Sequence, residues 1–395
     1  MLPPRTGELM RFLPNTGRRL WLLRSLATPL AGLPLVLKAR SASAAEPVYP
    51  RVIEGRPFVF PRDHGAHLPY RTEWWYVTGW IKGRDRQPLG FQVTFFRSRP
   101  GVAEDLAVAS AARQLIIAHV ALSDPRRGRL LHEQRVARVA FGLARASQAT
   151  LDVALDDWSM VMDATGSFFA RIRAREFRLD LVFTPSAPPM LQGVAGFSRK
   201  GPLASQASYY YSLPQVSVRG RLEVPAPDRR SALALLGGET RVDTVTGRAW
   251  FDHEWSSQYM APSVVGWDWV GINLKDGSAL MAFRMRDAAG ATVWAGGTLR
   301  RVDGSERSFE PTQVQFVALR TWQSPRTGTR FPVAMRIDLP DLSVSLEPLM
   351  DDQELDARAG VGAVYWEGAV QAHGTGGLSG QGYLELTGYA GRLQI

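Results

Sequence analysis

The 395-residue sequence contains no cysteine. That excludes disulfide staples, thiolate metal sites, a thiol nucleophile and a lipid-attachment cysteine. The fold must therefore be held by burial, which a chain of this length can supply. Helical periodicity is almost as scarce: only 231–236 and parts of the leader look helical. No phosphate-cradling loop appears, and Gly193-Val-Ala-Gly-Phe-Ser198 does not form a nucleophile elbow. His253-Glu254 lacks the second histidine of a zincin.

The net charge of +10 suggests a polyanionic partner until it is apportioned. Seven of the 47 basic residues and one of the 37 acids lie in residues 1–45, which leaves only +4 for the rest. No later stretch combines a dense basic run with interleaved aromatics, so nucleic-acid binding is not expected. The leader reads as an export signal. Arg18-Arg19 followed by Leu20-Trp21-Leu22 resembles a twin-arginine signal, and 13 uncharged, largely apolar residues run from Ser25 to Leu37. Ser41-Ala-Ser-Ala-Ala45 then offers cleavage near Ala44 or Ala45. Thirteen residues fall short of the roughly 20 a membrane-spanning helix needs, so no stable membrane span is expected. The mature chain is expected in the periplasm or otherwise outside the cytoplasm.

What the sequence has in abundance is β-strand patterning and aromatic side chains, with 12 Trp, 17 Phe and 10 Tyr. Phe91–Phe96, Leu115–Leu122 and Thr150–Leu155 are short apolar runs bounded by turn residues. Phe177–Phe183 and Leu342–Leu346 alternate apolar and polar at period two, as half-buried antiparallel strands do. The length exceeds what one core usually organises. An internal repeat also pairs Tyr76-Val77 with Trp269-Val270, and Ile81-Lys82 with Leu274-Lys275, at an offset of 193. The expectation is an all-β chain with two related domains, 46–235 and 236–395, after an export signal at 1–45.

Two stretches carry candidate chemistry. In a strand, Asp252 and Glu254 share one face, with His253 and Trp255 on the other; Trp267 and Trp269 share a face opposite Asp268. A carboxylic acid in an aromatic cleft stays protonated to higher pH and can act as a general acid. A tryptophan face can stabilise a developing carbocation. Asp252, His253, Glu254 and Asp268 are therefore candidate catalytic residues for protonating an alkene and capturing the cation with water. The same residues could equally be buried polar groups tying strands together. His64 and His67 with Asp63 have a zinc-like spacing. A complete site needs three or four ligands, and His119 is the only other nearby candidate, so no metal is expected.

Asp63-His-Gly-Ala-His67 and Arg71-Thr-Glu-Trp-Trp-Tyr76 resemble the opening signature of the AttH-like, or CrtC N-terminal lipocalin-like, family. Gly90–Arg97, Ala118-His119, Ser208–Ser212, Asp252–Ser256, Gly266–Trp269 and Tyr365–Gly368 fit the same pattern, so the resemblance covers essentially all of 55–395. It implies two tandem lipocalin-like antiparallel β-barrel domains, an apolar, isoprenoid or lipid-like ligand, no cofactor, and kinship with carotenoid 1,2-hydratases. Some members accompany ABC-transporter permeases, which makes such a permease a candidate partner. With the local aromatic density it marks Glu73, Trp74, Trp75, Tyr76, His119, Trp255, Trp267 and Trp269 as candidate ligand-binding residues. The strand that carries a tyrosine and a proposed proton-donating aspartate in those hydratases corresponds here to 278–286, which has neither. Asp268 or Glu254 would have to substitute, so ligand binding leads and hydration is the alternative.

Overall fold

The computed structural model describes residues 47–102, 113–225, 240–258, 260–358 and 362–392. The leader and the helical stretch expected at 231–236 lie outside the described residues. Apart from short 3-10 turns, the regular elements of the described residues are strands, arranged in one 13-stranded and one 10-stranded antiparallel sheet. The first is a nearly closed barrel and the second a half-barrel. Edge strand Leu130–Arg138 reaches across the first barrel's opening through Arg135, which donates to the Arg173 carbonyl at 3.0 Å and stacks on Trp158. Among the described residues no helix is long and apolar enough to cross a membrane.

Period-two patterning produces the strands that have one wet face: Phe168–Arg173, Arg178–Thr184 and Leu342–Pro348 alternate buried with more exposed side chains. Strand Thr72–Lys82 is buried along both faces instead. Its Trp75, Val77 and Ile81 enter the first barrel's core, whereas Tyr76 and Trp80 meet the second sheet. The 19-residue strand Thr240–Gln258 pairs with Thr72–Lys82 and with Ala207–Pro225, so it belongs to the first sheet. The changeover between sheets thus falls between Gln258 and Gly266, downstream of the expected 235/236. Its physical reason is that this strand supplies the hydrogen bonds that join the two halves of the first sheet.

The two sheets share a wiring. In each, the first strand pairs with the second and with the sheet's last strand. Tyr76 sits opposite Asp252 in one sheet, and its repeat counterpart Trp269 sits opposite Glu385 in the other. The outer faces of these strands pack together. A Cβ on Gly90 would stand 2.6 Å from that of Ala369, so only glycine permits this approach. The contact is tied by Trp80 Nε1 donating to the Gly382 carbonyl at 3.0 Å and by Asn273 Nδ2 donating to that of Ala249 at 3.0 Å.

Candidate functional site

Between the sheets, rather than inside either barrel, lies a cavity of about 370 Å3. The first sheet lines it with Trp74, Tyr76, Phe96, Ile117, His119 and Tyr210, and the second with Trp267, Trp269, Phe283, Met285 and Tyr365. The indole Nε1 of Trp269 donates to the Tyr210 hydroxyl at 3.0 Å, and its ring meets Tyr76 edge-on with centroids 5.3 Å apart. The lining is mostly carbon, yet five carboxyl groups reach it: Glu73, Asp252 and Glu254 from the first sheet, Glu367 and Glu385 from the second.

These carboxyls differ in how they are held. Burial pushes Asp252 up to about 7, although Ser212 at 2.5 Å, Tyr210 at 2.8 Å and Trp250 at 2.7 Å all donate to it. Glu254 is paired with Lys200, 3.1 Å away, and accepts from Ser208. Glu367 and Glu385 face each other across neighbouring strands. Burial, then the charge of Glu385, drives Glu367 well above the usual carboxylate range. Glu385 is pushed up to about 7 by burial, opposed by a hydrogen bond from Trp267 and reinforced by Asp252 and Glu254. Two such groups cannot both ionise cheaply in a low-dielectric site. The cavity therefore presents protonated carboxylic acids near neutral pH to an aromatic surface.

A second polar cluster borders the cavity at Glu73. Arg97 Nε donates to this fully buried carboxylate at 2.7 Å, while His67 and His253 lie 2.7 and 3.0 Å from its other oxygen. Burial alone would raise Glu73, but Arg97 and the two imidazoles hold it well below the usual range. Burial likewise disfavours the His67 cation, and Glu73 with Asp63 overcomes it, so the ring is raised and bridges two carboxylates. His67 also stacks flat on Trp255, centroids 3.7 Å apart. The ligand atoms of His67, Glu73 and His253 lie within 4.8 Å of one another, as a metal would require. Arg97 on Glu73 and Arg56 on Asp63 already balance the two carboxylates, however, so protons and guanidiniums satisfy this cluster.

The structure divides the residues singled out in the sequence. Glu73, Trp74, Tyr76, His119, Asp252, Glu254, Trp267 and Trp269 line the cavity. Trp75, His253 and Trp255 turn to the opposite side of their strands, where Trp75 stacks on His253 with centroids 5.0 Å apart. His253 reaches the cavity only through Glu73. Asp268, expected as a substitute acid, also faces away. Arg284 at 2.6 Å and Arg286 at 2.9 Å clamp it, and the Tyr389 hydroxyl donates to it at 3.0 Å, so it is a structural counter-ion. Sequence reasoning missed Glu367, Glu385, Tyr210 and Lys200 as site residues. Glu385 carried a signal: it occupies in the second sheet the register position of Asp252 in the first.

A family model described as AttH-like matches residues 51–389. The chain belongs to the AttH-like family. This AttH-like protein is 48% identical to an AttH from Nitrosomonas europaea, whose crystal structure it matches with a TM-score of 0.77 over 86% of this chain and 99% of that one. It also matches kievitone hydratase from Nectria haematococca with a TM-score of 0.62, covering 88% of this chain and 97% of that one. At 14% identity the second likeness is one of fold. No curated protein matches the chain.

Proposed function

We propose that this AttH-like protein binds an apolar, isoprenoid- or lipid-like small molecule in the cavity between its sheets. The observation that carries this reading is the cavity itself. Its volume of about 370 Å3 falls within the usual span of small-molecule sites, roughly 300–1,000 Å3, and aromatic rings from both sheets line it. Isoprenoid or polyene probes should quench tryptophan fluorescence. Trp269→Ala should weaken binding at least tenfold, on the order of 1.4 kcal/mol. A folded protein that quenches with none of these probes would instead favour a structural or interaction role.

The protonated carboxyls favour a second reading, acid-catalysed hydration of an alkene without a cofactor. A carboxylic acid would give its proton to one alkene carbon, the π electrons forming the new C–H bond. Trp267 and Trp269 would stabilise the cation at the other carbon. Water would add there, and its released proton would restore the acid. Because the acid must be protonated, turnover should fall about tenfold per pH unit above about 7. Glu385→Gln, Glu367→Gln or Asp252→Asn should abolish 18O incorporation from water while preserving binding. Incorporation that survives all three substitutions would end this reading.

The leader supports delivery outside the cytoplasm, and the resemblance to members that accompany ABC permeases supports service to such a transporter. Periplasmic protein should begin at Ala45 or Glu46, and Arg18-Arg19→Lys-Lys should block export. Full-length protein confined to the cytosol would contradict both.

A further inference from the structure

A bare hydrocarbon would leave one end of the cavity poorly matched. There Gln92, on strand Pro88–Ser98, donates through Nε2 to Thr94 at 2.9 Å and to Glu367 Oε2 at 2.8 Å. Its carbonyl oxygen Oε1 has no partner, although the residue is 1% exposed. His119, 2% exposed, binds the Tyr365 hydroxyl through Nδ1 at 2.5 Å, and its Nε2 has none. Glu367 is engaged already, by Gln92 and by the Tyr76 hydroxyl. All three residues line the cavity. Buried polar atoms without partners are few in native proteins, because each carries an uncompensated desolvation cost. Asp252 and Glu254 are satisfied by contrast: Asp252 receives three donors, and Glu254 holds Lys200 and Ser208.

The character of the unpaired atoms selects the missing group. Gln92 Oε1 can only accept. Burial holds the His119 imidazole neutral, down to about 3; in the tautomer that accepts from the Tyr365 hydroxyl at Nδ1, its Nε2–H is a donor. A single uncharged hydroxyl could donate to the first and accept from the second. A phosphate or carboxylate would find no free cation among the described residues of the lining, because Arg97 is committed to Glu73 and Lys200 to Glu254. Resting on the binding reading above, we infer that the ligand is an apolar molecule bearing an uncharged hydroxyl or phenol, docked at Gln92 and His119.

The test compares farnesol, α-farnesene and farnesylamine by tryptophan fluorescence titration of the full-length protein. Farnesol should bind at least tenfold more tightly than α-farnesene. Gln92→Leu and His119→Phe should each reduce that preference, read as the ratio of the two affinities in the same variant, to threefold or less; two variants guard against one failing to fold. Equal affinity for farnesol and α-farnesene in the wild type would overturn the hydroxyl assignment and leave the apolar-binding reading standing. A preference that survives both substitutions would do the same, since water would then satisfy these atoms. Farnesylamine binding tightest would overturn it in favour of a cation held by the Glu367–Glu385 pair. Failure of all three to bind would overturn both readings.

Discussion

Replacing Asp252 with asparagine should alter stability in a pH-dependent way whose sign follows from the cavity. Burial holds this carboxyl at about 7 in the folded protein, against an ordinary 3.8 in the unfolded chain. Between those values the native state keeps a proton that the unfolded state has released, so the wild type loses stability as pH rises from about 4 to about 7. The difference corresponds to on the order of 4 kcal/mol above pH 7, a ceiling set by the two protonation states. Asparagine cannot ionise, so Asp252→Asn should gain on the wild type across that window and stay level above it. It also carries a pH-independent penalty for facing Ser212, Tyr210 and Trp250 with an amide. His64 and His119, held by burial at about 4 and about 3, pull the other way: each costs stability as pH falls below about 6.5. They are common to both proteins and cancel in the difference. Urea denaturation from pH 4.5 to 8, read as wild type minus variant, measures it. A pH-independent difference, or a variant that loses ground as pH rises, would refute the argument.

Other perturbations separate architecture from ligand chemistry. Glu73→Gln leaves the fully buried Arg97 guanidinium uncompensated and should cost about 3–5 kcal/mol by chemical denaturation. Asp268→Asn strands Arg284 and Arg286 and should lower stability by a similar amount. Probe affinity of whatever fraction stays folded should be unchanged, because Asp268 does not face the cavity. If that variant proves stable yet fails to bind apolar probes, the structural assignment of Asp268 is wrong.

Much of the architecture was legible because period-two alternation survives wherever one strand face is wet, as in Arg178–Thr184 and Leu342–Pro348. It fails where both faces are buried. In Glu73-Trp-Trp-Tyr76 the sequence shows that Trp74 and Trp75 point oppositely, but not which of them meets the second sheet. The same ambiguity hid the role of Asp268: alternation places it opposite Trp267 and Trp269 without revealing Arg284 and Arg286 on the neighbouring strand. Glu367 and Glu385 meet only through strand pairing, across 18 residues of sequence that include a turn, so no local pattern brings them together. The changeover between sheets is hidden in the sequence for a related reason. The Pro225–Gly238 stretch resembles a linker in composition, but the strand beyond it returns to close the first sheet.

The central claim is that the ligand site lies between the sheets and not inside a barrel. Photo-cross-linking with a diazirine-bearing isoprenoid, followed by peptide mass spectrometry, tests it most directly. Labelling should fall on Ile117, Trp267, Phe283, Met285 and Tyr365, and should disappear when unlabelled farnesol is added in excess. Labels on Trp158, Phe168 and Phe183, which fill the first barrel's core, would contradict it.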